Sequence, residues 1–202
     1  MLEIVRIGVV TMTKKQKAPK ALPHWGAFLA VADEDLLAFA WLFSGGLHVS
    51  SYYHAAQALE NYFKSLILAT AVTLPTNTSW LNSHSLSHLA TLCTPKFPYY
   101  GQPAIKKQLA LFTEYDAATR YPLVPRQHGN GFTSAEIPTI WDLIRHLRQD
   151  IPIVRDDYLL GMVVRGHHHG KPNTVHTGDA RYRSAKVALL RLFPDATTIV
   201  RR

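Results

Sequence analysis

The apolar residues of this chain fall into runs with helical spacing. In Tyr52–Ala69, positions 52, 55, 59, 62, 66 and 69 recur at steps of three and four and so share one helix face. A second set at 53, 56, 63 and 67 widens that face, as in a helix packed inside a bundle. Glu60 and Lys64 stand four apart, acid first, the better order for an ion pair along a helix. Leu36, Phe39, Ala40 and Phe43 predict an earlier helix. Asp33-Glu34-Asp35 suit its positive end, Asp33 its N-cap, and Gly45-Gly46 its stop. Asn82-Ser83 offers caps for a short third helix carrying Leu86, Leu89 and Leu92. A fourth helix runs from about Ala104 to Arg120, with Ile105, Leu109, Phe112 and Tyr115 on one side. Tyr121-Pro122 ends it, because the residue before a proline is pushed out of the helical region. A fifth carries Ile137, Ile140, Ile144, Leu147 and Ile151. Thr133 and Glu136 have capping-box spacing, whereas Pro138 suits a first helical position, so the start lies at one or the other. Tyr182–Phe193 is one more short amphipathic run.

Between these runs the chain is punctuated by loops. Residues 11–24 are Lys-rich with Pro19 and Pro23 and predict a flexible lead-in. Pro95, Pro98 and Pro103 mark one loop, and Pro125, Gly129 and Gly131 another. Ile4–Val10 is strand-like but isolated, with only another chain or the Ile199-Val200 end to pair with. The expected fold is all-α: an antiparallel up-and-down bundle of four to five helices with basic extensions at both ends. The expected division is a basic N-terminal extension over 1–31, the bundle over 32–152 and a basic C-terminal extension over 153–202.

Composition narrows the setting. The single cysteine, Cys93, excludes an intramolecular disulfide and fits a reducing compartment. The charge-free stretch Leu36–Leu59 contains Ser44-Gly45-Gly46, His48, His54 and Gln57, so no membrane span is expected and a cytoplasmic location is the default. The net charge of +8 is unevenly spread. Residues 1–31 hold five Lys/Arg against one Glu, and residues 151–202 hold nine against four Asp. The stretch between is close to neutral. The basic ends read either as solvated tails or as contacts to phosphate.

The order of these pieces resembles the HEPN family (higher eukaryotes and prokaryotes nucleotide-binding). The resemblance rests on Trp41 in the first helix and on Ala55-Ala56-Gln57-Ala58-Leu59-Glu60-Asn61-Tyr62-Phe63-Lys64-Ser65-Leu66 in the second. It continues through His84-Ser85-Leu86-Ser87-His88-Leu89 and Arg120-Tyr121-Pro122, and covers roughly residues 33–150. It implies a helical bundle, a homodimer, and an association with nucleotides or RNA. Many members cleave RNA with an Arg, four to six intervening residues, then His. No Arg in this chain has a His at that spacing: Arg120 and His128 are separated by seven residues, Arg165 and His169 by three. Non-catalytic binding of a nucleotide or nucleic acid is therefore the expected function. A metal-independent ribonuclease using Arg120 and His128, or a structural, partner-binding bundle, are the alternatives.

Arg120, Tyr121, Arg126 and His128 form the main polar cluster, at a helix end and on a loop. Arg can grip phosphate, Tyr can stack on a base, and His can move a proton. Tyr121 plugging the bundle end and Arg120 pairing with Glu60 or Asp116 is the structural alternative. The ligand-binding candidates are Arg120, Tyr121, Arg126, His84 and Lys64. His84 and His88 stand four apart on the expected third helix, but no acidic residue accompanies them and a capping or core-polar role is expected. His167-His168-His169 lies in a Gly/Pro-rich loop, where consecutive residues converge poorly on one ion. No metal and no cofactor is expected.

Overall fold

The computed structural model describes residues 24–70, 79–120, 134–153, 160 and 180–198. The strand-like run Ile4–Val10 and the His triplet lie outside them. Among the described residues the regular structure is entirely helical. Six α-helices follow in order: α1 (Trp25–Ser44), α2 (His48–Ala69), α3 (Leu86–Cys93), α4 (Pro103–Arg120), α5 (Ile137–Asp150) and α6 (Ala180–Leu192). No described helix is long and apolar enough to cross a membrane.

Helix α2 is the centre of the bundle and packs against α1, α3, α4 and α5. Its two apolar sets, read together, leave little surface for water: Tyr52, Ala55, Leu59, Tyr62, Phe63, Leu66 and Ile67 are all buried. Helices α1 and α2 form an antiparallel hairpin. Reading α1 backwards from Phe39 through Asp35 to Phe28, the partners on α2 run forward through Tyr52, His54 and Lys64. The turn between them is set by glycine. Gly46 takes a φ of 79°, a left-handed backbone that side chains disfavour. Its N–H donates to the Phe43 carbonyl, and the Leu47 N–H donates to that of Leu42 at 2.9 Å. This pair of bonds is a Schellman closure, and it satisfies the Leu42 and Phe43 carbonyls at the end of α1.

Three expectations need correction. Asp33 does not cap α1. The helix begins at Trp25, where His24 Nδ1 accepts from the Gly26 N–H at 3.1 Å, so Asp33 lies well inside it, fully buried. Acidic residues early in an apolar run look like an N-terminal turn, but this run extends upstream through Leu29 and Ala32. The third helix is capped not by Asn82 or Ser83 but by Ser85, whose Oγ accepts from the His88 N–H. The bundle also outreaches 32–152 at both ends. Beyond α1's early start, α6 docks on α1 and is anchored by its C-terminal end. Phe193 stacks on Trp141 with centroids 4.4 Å apart, and the Trp141 indole N–H donates to Asp195. Part of the basic C-terminal segment is thus a structural helix. For α5, Pro138 sits in the first turn and Glu136 precedes the helix without a side-chain capping bond; Thr133 lies outside the described residues.

A buried ion pair joins α1 to α5. Asp33 pairs with Arg148, both with no exposed side-chain surface. The same carboxylate accepts from the Tyr62 hydroxyl at 2.7 Å and from the Leu160 N–H at 2.9 Å. The Arg148 guanidinium also lies over the Tyr62 ring. Burial and the neighbouring Asp33 charge push the Tyr62 hydroxyl well above the usual tyrosine range. Buried charge persists when paired and hydrogen-bonded, and this carboxylate is held by Arg148, Tyr62 and Leu160.

Candidate functional site

Two regions carry chemistry, and they differ in how their charges are used. The first is the polar arc of α2, where His54, Gln57, Glu60, Asn61 and Lys64 emerge between α1 on one side and α3 and α4 on the other. His54 Nδ1 lies 2.9 Å from Asp35, and Asn61 donates to the same carboxylate. Gln57 donates to Asp116 of α4 at 3.0 Å. The Lys64 ammonium donates to Glu60 Oε1 at 2.6 Å, and His84 Nδ1 lies 3.0 Å from Glu60 Oε2. Both Glu60 and Lys64 are 4% exposed.

Lys64, expected to face a ligand, therefore directs its charge inward to Glu60. Its helix is central to the bundle, so the residue one turn on from Glu60 is enclosed rather than presented. His84 is placed differently. It precedes α3, just before the Ser85 cap, and its side chain is 56% exposed. A carboxylate can only accept, so the Nδ1–H points at Glu60 and Nε2 is left toward solvent. That is an oriented imidazole able to accept or donate one hydrogen bond. His88 sits within α3, exposed. Among the described residues no group of three His, Cys, Asp or Glu side chains is placed to hold a metal ion. Arg120 is the last residue of α4, and its side chain is not among those described. Tyr121, Arg126 and His128 also lie outside the described residues.

The second region is a groove of about 530 Å³ where the end of α1 meets α6. Trp41, Leu42, Ser44, Gly45 and Leu47 line one side; Arg183, Ser184, Val187, Ala188 and Arg191 line the other. Helix α6 holds four cations, Arg181, Arg183, Lys186 and Arg191, and no acid. Residues 183, 187 and 191 step by four and share its outer face, while Ala185, Ala188 and Leu189 face inward. Arg183 and Arg191 are exposed, and among the described residues neither has an ion-pair partner. Opposite them Trp41 is 57% exposed. Two unpaired guanidinium groups beside an open indole can grip phosphate and stack a planar ring.

Sequence reasoning missed this groove. The signal was present in the four-residue steps from Arg183 to Arg191, and in Trp41, which falls out of the buried series Leu36, Phe39, Ala40.

A third cluster, on α5, is closed on itself. Tyr99 donates to Asp142 at 2.7 Å, Arg145 donates to the same carboxylate, and His146 stacks flat on the Tyr99 ring at 3.9 Å. Burial opposes ionisation of Asp142, but the bonds from Tyr99 and Arg145 outweigh it and hold its carboxyl below the usual range.

No protein-family model, no curated protein and no solved structure matches this chain.

Proposed function

We propose that this chain is a HEPN-like helical bundle of the cytoplasm that binds a nucleotide or nucleic acid without cleaving it, as a homodimer. The observation that carries this reading is the outer face of α6. It concentrates positive charge, with Arg183 and Arg191 unpaired among the described residues, on a helix fixed to the core, next to an exposed aromatic ring. Phosphate binding needs cations that are not already neutralised by protein carboxylates. The arc of α2 fails that requirement and α6 meets it.

Fluorescence anisotropy with a single-stranded RNA oligonucleotide tests the reading. Affinity should fall steeply with salt, because phosphate contacts release counterions. The log–log salt slope should become shallower by about one for each phosphate contact removed, here through Arg183→Ala and Arg191→Ala. The RNA should be recovered intact, with or without divalent metal. Salt-independent binding, or binding indifferent to both substitutions, would move the ligand away from α6. Cleavage that disappears in both Arg120→Ala and His128→Ala would establish the ribonuclease instead.

A further inference from the structure

The groove holds more apolar surface than phosphate recognition uses. Leu47 is 59% exposed and Val187 is 68% exposed, and both line it with Trp41. Large apolar side chains clustered on a surface mark a place where another molecule packs. The wall that carries Trp41 and Leu47 is fixed by the glycine turn and its two backbone bonds, so it is formed before anything binds.

Charge selects the occupant. Arg183 and Arg191 flank Val187 at four residues on either side along one helix face. Eight residues of helix span about 12 Å. A second helix lying alongside α6 has the same rise per residue. Two carboxylates about two turns apart on it would meet the two arginines, and the apolar residues of the turn between would enter the groove against Trp41, Leu47 and Val187. A nucleic-acid strand would use the arginines and the indole but leave Leu47 and Val187 in water.

We infer that the groove between α1 and α6 is a docking site for an amphipathic helix of a partner protein, with acidic residues about two turns apart flanking an apolar middle turn. Such a helix covers the arginines on which the proposed nucleic-acid binding rests, so the two occupants exclude one another and the partner is a competitor of that binding.

The full chain can be tested with a synthetic peptide. The probe is a fluorescent Ala-rich peptide of about 20 residues, beyond the length at which isolated helices are marginal, with two Glu two turns apart and Leu residues between. It should bind, and Trp41→Ala and Arg183→Glu/Arg191→Glu should each weaken it by about tenfold or more, as buried aromatic and arginine anchors do. A peptide carrying Lys in place of both Glu should bind the double charge-reversal protein and not the original. That exchange distinguishes recognition from damage to the fold, as does an unchanged helical circular-dichroism spectrum in each variant. Equal binding of a peptide with Gln in place of Glu would overturn the inference. So would self-association lost in Trp41→Ala, which would make the groove an interface between copies of this chain. RNA binding that depends on Trp41 with no peptide binding would overturn the dock and leave the nucleic-acid reading in place. Peptide binding with no RNA binding would uphold the dock and overturn that reading.

Discussion

The buried charges of the bundle and the exposed charges of α6 behave as opposites. Asp33, Arg148, Glu60 and Lys64 lie inside, and each is matched by a partner of opposite sign. Arg183 and Arg191 lie outside, and among the described residues neither is matched. Pairing inside is imposed by the low dielectric, which penalises an uncompensated charge heavily. Outside, water screens a lone guanidinium at little cost, so it can be kept available. The chemistry-bearing residues that stabilise the fold are consequently poor ligand contacts, and the residues free to bind contribute little to stability.

The strongest way to break this contrast is to unpair a buried charge. Asp33→Ala or Arg148→Ala should each destabilise the protein by about 3–5 kcal/mol, read as a lower urea midpoint, because the remaining ion is stranded in the core. An apolar pair, Asp33→Leu with Arg148→Met, should recover much of that loss. A loss under about 1 kcal/mol in the single variants would mean the pair is solvated after all. Next, Leu59→Ala on the enclosed face of α2 should cost about 2–5 kcal/mol in the same assay, as deletions in packed cores do. A negligible change would show that α2 is not the central helix.

Alkaline pH probes the same burial without mutation. Burial raises the hydroxyls of Tyr62, Tyr99 and Tyr100 above the usual tyrosine range, helped by Asp33, Asp142 and Asp150 respectively. A raised folded-state value means that the folded protein holds these protons more tightly than the unfolded chain. The stability they contribute is complete below the unfolded value of about 10 and is lost as pH rises through the folded values. Urea midpoints should therefore decline above about pH 10, less so in Tyr100→Phe. Burial likewise pushes the Cys93 thiol up to about 12, so a thiol reagent should label it only on unfolding. The smallest effect is expected on the outer face of α6. Val187→Ser and Arg191→Ala should change stability by no more than about 0.5 kcal/mol, as substitutions away from core features do. A large loss there would make the groove part of the folding core.

Much of the fold could be read from the sequence. The periodic runs of α2, α4 and α5 show plainly because each carries its own apolar face. The start of α1 could not be read correctly, because Asp33 resembles a terminal acid until its distant partner Arg148 is known. The docking of α6 depends on stacking between Phe193 and Trp141, which no local pattern announces. For the site, residue types were visible and accessibility was not. Lys64 and His84 share one carboxylate, yet only His84 reaches solvent. The groove combines Trp41 with Arg183 and Arg191, which the sequence keeps far apart and only the packing of α6 on α1 brings together. The Arg120 side chain and residues 121–133 lie outside those described.

The Asp33 carboxylate also has a consequence for the order of folding. Partners at positions 148 and 160 close loops of 115 and 127 residues, against 29 for Tyr62. The α1–α2 hairpin needs only a three-residue turn and can assemble early, while the distant partners must wait for most of the chain to be gathered. Until then Asp33 stays hydrated. The ion pair is thus expected to form late, absent from the barrier to folding and present in the barrier to unfolding. Weakening it should leave the refolding rate nearly unchanged and accelerate unfolding. The pair acts on the finished bundle as a lock: it does little to guide the chain inward and a good deal to delay its escape.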